Sequence, residues 1–197
     1  MKLLYWLIRP RSGFARLRYY WWEHRNTDKP WLTPGAVTFL AELLAPPMAG
    51  LEFGSGRSTL WFAKHLGELT SVEHHEGWFQ IVSKQLEEAN IKNVKYRLVP
   101  LDHPEADPEL PEYYPQPKYI AVASDLPDGC LDLVVVDGHY RSHCIRASIS
   151  KLRSGGLLLV DDANLWPGNA PPVPIDWPEV SRTTNGIKFT VIWKKPA

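Results

Sequence analysis

The sequence of 197 residues is poor in cysteine and contains no long apolar run. Its two cysteines, Cys130 and Cys144, form neither a CxxC pair nor a zinc-knuckle spacing, which argues against a disulfide framework or a structural zinc site. No window approaches the ~20 continuous apolar residues that span a bilayer, and the run 3–8 is too short for a signal-peptide core. We therefore expect a soluble cytoplasmic protein.

Net charge is also lacking, since 22 basic residues balance 22 acidic ones. Proteins that wrap DNA usually carry a basic excess, because neutralising phosphates supplies much of their affinity. We therefore expect a small-molecule substrate and no nucleic-acid partner. The length suits one α/β domain with a substantial core and leaves no room for a second catalytic domain.

Basic charge is nevertheless concentrated near the N-terminus, and we treat residues 1–30 separately from a domain at 31–197. Residues 1–25 contain six basic residues against Glu23, a local charge of +5, interleaved with aromatic residues. Three roles stay open for this segment: a lid, a homo-oligomer contact, or an amphipathic helix on an anionic membrane surface. Pro10 and Gly13 interrupt the periodicity that the membrane helix requires.

The remaining chain alternates short apolar runs with helical patterns, which predicts βα units and a parallel sheet. Asn185-Gly186 between two apolar runs predicts a C-terminal hairpin. The stretch 101–116, rich in proline and acidic residues, predicts an exposed insertion. The predicted strands are 50–53, 69–73, 94–100, 131–137, 157–160, 179–182 and 187–193, and the predicted helices are 34–44, 58–66, 78–89 and 141–152, with Gly155-Gly156 after the last helix.

A glycine-rich turn follows the first predicted strand. Gly54 and Gly56 would let the backbone approach a ligand, because glycine lacks Cβ and tolerates positive φ. On spacing alone, a simple tight turn explains the pattern equally well. Glu73 ends the next strand, 19 residues after Gly54, near the ~20-residue offset at which a carboxylate accepts ribose hydroxyls. A carboxylate there would repel a phosphate, which disfavours NADP.

The segment 51–58, Leu-Glu-Phe-Gly-Ser-Gly-Arg-Ser, resembles the first motif of class I S-adenosylmethionine-dependent methyltransferases. Residues 71–74 are similar to the ribose-binding strand end of that family, and 153–161 to the glycine turn before its fifth strand. The resemblance covers residues 33–194. It implies an α/β, Rossmann-like, doubly wound sheet that is mostly parallel, with strand order 3-2-1-4-5-7-6 and a C-terminal antiparallel hairpin.

The resemblance also implies S-adenosylmethionine as the cofactor. The implied cofactor-binding residues are Glu52, Gly54, Ser55, Gly56, Ser58, Glu73, His74 and Asp137. In the family the acid at Glu52 helps to neutralise the methionine ammonium, although a buried acid that orders the loop is an alternative. Dinucleotide-binding loops more often lack this acid and carry a third glycine, where this chain has Thr59.

Three carboxylates follow the predicted fourth and fifth strands, namely Asp137, Asp161 and Asp162. Neighbouring parallel strands end side by side, so these side chains should converge. Converging carboxylates repel each other unless they are protonated or neutralised, and oxygen ligands favour Mg²⁺, Mn²⁺ or Ca²⁺ over zinc. The pattern resembles metal-dependent small-molecule O-methyltransferases. The alternative is that Asp161 and Asp162 cap the following loop while Asp137 contacts the amino-acid part of the cofactor.

The lysine that often follows the first of these aspartates in the family is missing, and His139 and Arg141 are present instead. His139 is the candidate base, acting beside Asp137, because an unperturbed imidazole has a pKa of ~6.5. A capping or supporting role for His139 is equally open. We therefore predict a methyltransferase that methylates a small-molecule hydroxyl. An NAD-dependent oxidoreductase and a non-catalytic methyltransferase-like scaffold remain as alternatives.

Overall fold

The chain forms a seven-stranded sheet, and the computed structural model describes residues 10–103, 113–166, 168 and 170–197. The strands are β1 (Ala49–Phe53), β2 (Glu68–Glu73), β3 (Val94–Leu98), β4 (Leu131–Val136), β5 (Leu152–Val160), β6 (Glu179–Thr184) and β7 (Phe189–Lys194). Their order is β3-β2-β1-β4-β5-β7-β6. β1 to β5 pair in parallel, whereas β7 is antiparallel to both β5 and β6. The predicted fold class, strand order and terminal hairpin are confirmed.

Six helices and one short 3₁₀ turn accompany the sheet in the described part of the chain. They are α1 (Pro10–Arg25), α2 (Pro34–Leu43), α3 (Arg57–His65), α4 (Glu76–Glu88), α5 (Lys118–Ser124), α6 (Arg141–Ser148) and the 3₁₀ turn Ala163–Leu165. None of the helices among the described residues is long and apolar enough to cross a membrane.

Strand β4 is central and buried along its whole length, as its β-branched sequence predicts. Alternate residues of β4 point into two separate apolar clusters. Val134 and Val136 belong to the cluster that includes α5 and α6, and Leu133 and Val135 to the cluster that includes α2 and α3. The sheet is therefore covered on both faces, and ligands have access at the carboxyl ends of the strands.

The prediction was wrong where the fourth predicted helix meets the fifth strand. α6 ends at Ser148, and β5 begins at Leu152 and runs through Gly155-Gly156. Between two paired positions, β4 advances by two residues while β5 advances by five, so the glycines lie in a bulge. Gly155 has φ +79, and its N–H donates to the carbonyl of Lys195, which keeps the bulge within the sheet.

Helix α5 was absent from the sequence prediction, because the proline-rich stretch before it carries no helical pattern. Its Tyr119 and Ile120 are buried beneath the crevice side of the sheet. Most of the insertion predicted at 101–116 lies outside the described residues, as do residues 1–9. α1 begins at Pro10 and continues through Gly13, at a cost of roughly 1 kcal/mol for the glycine.

Candidate functional site

A crevice of about 570 Å³ opens at the carboxyl ends of β1, β2 and β4. That volume lies within the range of roughly 300–1,000 Å³ typical of small-molecule pockets. The lining residues are Gly54, Ser55, Glu73, His74, His75, Trp78, Asp137, Gly138, His139 and Arg141. Six of the predicted site residues therefore line one crevice, and Glu52, Gly56 and Ser58 are not among its lining residues.

The loops after β1 and β4 meet closely at the floor of this crevice. Gly54 has φ +91, and a Cβ there would lie 2.8 Å from backbone atoms of Gly138. A Cβ on Gly138 would in turn overlap the Tyr119 hydroxyl and come within 2.9 Å of the Gly54 nitrogen. Both positions therefore require glycine. Gly138 was missed in the sequence, where only its place directly after a predicted strand hinted at a tight turn.

Glu73 joins the end of β2 to the glycine loop. Its Oε2 accepts hydrogen bonds from the Ser55 hydroxyl at 2.7 Å and the Ser55 N–H at 3.2 Å. Its Oε1 accepts from the N–H groups of His74 and His75, each at 2.8 Å. Although burial raises it, these hydrogen bonds and those from His74 lower the pKa of Glu73 to about 2. An ionised carboxylate that accepts hydrogen bonds thus lies at the crevice wall.

Glu52 lies beneath the loop and is fully buried. Its Oε2 accepts from the hydroxyls of Thr59 and Ser71, both at 2.6 Å, which ties β1 to α3 and β2. Burial raises the pKa of Glu52 to about 7, despite hydrogen bonds that lower it. The geometry gives Glu52 the role of a buried acid that orders the loop. Its assignment to the cofactor ammonium stays a prediction.

Gly56 and Ser58 stand at the start of α3, next to the loop. Gly56 precedes the helix, and its N–H donates to the Thr59 hydroxyl at 3.0 Å. A Cβ on Gly56 would lie 3.8 Å from the Trp78 ring, so packing does not require glycine there. Trp78 was missed by the sequence reasoning, yet its indole N–H donates to the Ser55 carbonyl at 2.8 Å and braces the loop.

Two imidazoles meet above the Glu73 carboxylate. The rings of His74 and His139 lie 4.2 Å apart between centroids, and His74 Nδ1 lies 3.1 Å from Glu73 Oε1. His75 has a different role, since its Nδ1 accepts from the Trp78 N–H and caps α4. The predicted base His139 is therefore next to a predicted cofactor residue, and a chain of carboxylate, imidazole and imidazole lines the crevice.

The three strand-end carboxylates converge, as predicted, with one oxygen from each of Asp137, Asp161 and Asp162 within 4.8 Å of the others. Two cationic side chains neutralise them. Arg141 Nη2 lies 3.1 Å from Asp137 Oδ1 and 3.6 Å from Asp162 Oδ2. Lys188 Nζ contacts Asp161 Oδ2, while the Thr190 hydroxyl donates to Asp161 Oδ1 at 2.6 Å.

This arrangement does not fit a divalent cation. Both oxygens of Asp161 are engaged by Lys188 and Thr190, and Arg141 lies between the other two carboxylates. A dication bound among them would lie a few ångströms from two positive charges, which strongly opposes binding at low dielectric. Burial and the neighbouring charge of Asp161 raise the pKa of Asp137 to about 7, since the three negative charges exceed the two positive ones.

Lys188 is a site residue that the sequence reasoning missed. It lies in the loop of the β6–β7 hairpin, and Val160 of β5 pairs with Val191 of β7 in antiparallel register. That register carries the hairpin loop to the carboxyl end of β5, where Lys188 meets Asp161. The signal was available only to a prediction that specified the pairing of β5 with β7.

Residues 51–163 match a family model described as a methyltransferase domain, whereas no curated protein matches the chain. Among solved structures, yhhF, a methyltransferase candidate from Escherichia coli, is 16% identical with a TM-score of 0.61, covering 81% of this chain and 83% of that one. SMU.1697c, a methyltransferase candidate from Streptococcus mutans in complex with SAH, is 14% identical with a TM-score of 0.57, covering 80% and 94%. An rRNA methylase from Streptococcus thermophilus is 16% identical with a TM-score of 0.56, covering 81% and 94%. At these identities the structural likeness establishes the fold.

Proposed function

The chain belongs to the methyltransferase domain family and is a class I S-adenosylmethionine-dependent methyltransferase, and from this premise we propose that it methylates a hydroxyl group of a small molecule. The observation that carries the proposal is the contact between His74 and His139, 4.2 Å apart at the crevice and next to the ionised Glu73.

The charge of the crevice suits this cofactor better than a dinucleotide. Glu73 and Asp137 are both acidic and line the same space. S-adenosylmethionine carries a sulfonium and an ammonium, whereas NAD carries a diphosphate that these carboxylates would repel. Glu73 is assigned to the ribose hydroxyls and Asp137 to the amino-acid end. The glycine loop from Gly54 lets the backbone come close to the bound molecule.

The acceptor hydroxyl needs a base, because a neutral hydroxyl is a weak nucleophile. When bound, the cofactor supplies an electrophilic methyl group on sulfur. His139 takes the hydroxyl proton as the oxygen attacks, and the electrons of the broken carbon–sulfur bond remain on sulfur. His74, held 3.1 Å from Glu73 Oε1, contacts the imidazolium that forms and keeps His139 in position. Positioning and proton removal then account for the chemistry without a metal.

A small molecule is favoured over RNA as the acceptor. The rRNA methylase from Streptococcus thermophilus shares the fold, but an identity of 16% does not carry its substrate to this chain. The formal net charge here is zero, whereas binding to a polyanion draws on an excess of basic charge. The crevice is also of small-molecule size.

The test is a screen of hydroxyl-bearing metabolites with labelled S-adenosylmethionine, with the modified atom identified by mass spectrometry and NMR. We expect an O-methylated product. His139→Ala should lower kcat by about 10²- to 10⁴-fold, the usual contribution of a positioned base, and leave SAH affinity unchanged. His24→Ala, at an exposed position on α1, is the matched control. Methylation of RNA or of nitrogen, or full activity in His139→Ala, would contradict the proposal.

A further inference from the structure

Helix α1 turns an apolar face toward solvent. Phe14, Leu17 and Trp21 are 70%, 69% and 61% exposed, and their spacing of i, i+3 and i+7 places them on one side of the helix. Tyr20, which is 61% exposed, borders this stripe and stacks on His24. Adjacent exposed apolar side chains of this size on a helix mark an interaction surface.

The opposite face of α1 is already docked on the domain. The Tyr19 hydroxyl donates to the Leu32 carbonyl at 3.1 Å, and Trp22 packs against the core cluster that includes α2 and α3. Ala15 lies so close to Gly186 of the hairpin that a Cβ there would be 2.6 Å from the Ala15 Cβ. The outward stripe is therefore not a core face waiting to fold down, because the helix is fixed by its other side.

Basic side chains border the apolar stripe. At 100° per residue, Arg18 and Arg25 lie within about 40° of Phe14 around the helix axis. Both arginines are exposed, and the Arg25 guanidinium lies 3.5 Å from the centroid of the Trp21 ring. Residues 1–25 together carry six basic residues against one acidic residue. The surface thus combines aromatic and aliphatic side chains with a positive rim.

We propose that this outward face of α1 binds the surface of an anionic lipid bilayer, with the helix lying in the plane of the membrane. Aromatic and aliphatic side chains enter the boundary between headgroups and acyl chains, and the flanking arginines contact anionic headgroups. A second copy of the chain fits less well, because two such faces would bring like charges together. The proposal is independent of the methyl acceptor.

The test is flotation of the full chain with vesicles. We expect binding to phosphatidylcholine vesicles that contain phosphatidylglycerol and little binding to vesicles of phosphatidylcholine alone. Raising the salt concentration to about 0.5 M should weaken binding several-fold, since the Debye length then falls to roughly 4 Å. Equal binding to the two vesicle types, or none to either, would overturn the proposal.

Matched variants locate the contact. The triple substitution Phe14→Ser, Leu17→Ser, Trp21→Ser should lower the vesicle partition coefficient by at least about tenfold, because the apolar area that enters the interface is removed. Ile175→Ser, at a fully exposed apolar position elsewhere, is its control. Arg18→Glu should weaken binding to anionic vesicles, whereas Lys92→Glu, in the exposed turn before β3, should not.

Two further measurements distinguish a membrane-binding face from a dimer interface and from a loss of folding. SAH affinity should be the same in wild type and the triple variant, which shows that the domain stays folded. Light scattering should give the same mass for both proteins. A wild-type dimer that the triple substitution converts to a monomer would overturn the proposal, because the face would then be covered by a second copy of the chain.

Discussion

The Ser55 hydroxyl donates a 2.7 Å hydrogen bond to Glu73 Oε2, so one carboxylate fastens the glycine loop of β1 to the end of β2. The same hydroxyl lies 2.6 Å from the Tyr96 hydroxyl. Ribose hydroxyls that bind to Glu73 must share its oxygens with these partners. The carboxylate can do so because it stays ionised, with its pKa held at about 2 by hydrogen bonds that outweigh its burial.

The first prediction concerns cofactor affinity. Glu73→Ala should weaken SAH binding by about 10- to 100-fold, because a hydrogen bond to a charged group contributes roughly 1.5–3 kcal/mol. Isothermal titration calorimetry measures the change. Glu68→Ala, at the exposed start of the same strand, should bind SAH like wild type. Ser55→Ala separates ribose binding from loop order, since an equal loss in that variant would mean that Glu73 acts only by fastening the loop.

The second prediction is that activity does not depend on a divalent metal. Arg141 and Lys188 already neutralise Asp137, Asp161 and Asp162, so dialysis against EDTA should leave the rate of methyl transfer unchanged. Titration of the protein with Mg²⁺ in the calorimeter should give no binding heat. Activity lost with EDTA and restored by Mg²⁺ would show that the carboxylates can exchange their side-chain partners for a metal.

Convergence of the carboxylates could be predicted from sequence, but their neutralisation could not. Asp137 and Asp161 each end an apolar run, and the parallel arrangement brings such ends together. Lys188 stands 27 residues beyond Asp161 and reaches it only because β7 returns antiparallel beside β5. Charge compensation across a sheet depends on strand register, which an isolated apolar pattern leaves undetermined.

The failures of secondary-structure prediction have a similar cause. Gly155-Gly156 is typical of a helix end, yet it also suits a bulge, and pairing of the bulge with Lys195 keeps it within β5. α5 follows a proline-rich stretch and has only seven residues, too few for a clear helical period. Its buried Tyr119 nevertheless supports the loop at Gly138, so one of the missed elements contributes directly to the shape of the crevice.

The third prediction concerns the buried ion pair of Lys188 and Asp161. Lys188→Met should lower the free energy of unfolding by about 3–5 kcal/mol, because a fully buried carboxylate loses its cationic partner. Adding Asp161→Asn to that variant should recover part of the loss, since no buried charge is then left unpaired. Urea unfolding measures each corner of the cycle, with Lys92→Met as the surface control. Strictly additive losses would contradict a direct interaction.

The fourth prediction concerns the pH dependence of stability through Glu52. Burial raises the pKa of Glu52 from its ordinary value of 4.5 to about 7 in the folded protein. Between these values the folded state binds a proton that the unfolded state has released. The contribution of Glu52 to stability is therefore complete below a pH of about 4.5 and is lost as the pH rises to about 7.

Glu52→Gln removes this titration while keeping an acceptor oxygen for Thr59 or Ser71. From about pH 5 to about pH 7.5, the free energy of unfolding of wild type should fall relative to that of Glu52→Gln by about 2 kcal/mol. Urea unfolding at several pH values measures the difference, and other titrating groups cancel because both proteins contain them. Glu68→Gln, which replaces an exposed carboxylate, should run parallel to wild type. A parallel curve for Glu52→Gln would mean that Glu52 is ionised at acidic pH and that the buried acid lacks a raised pKa.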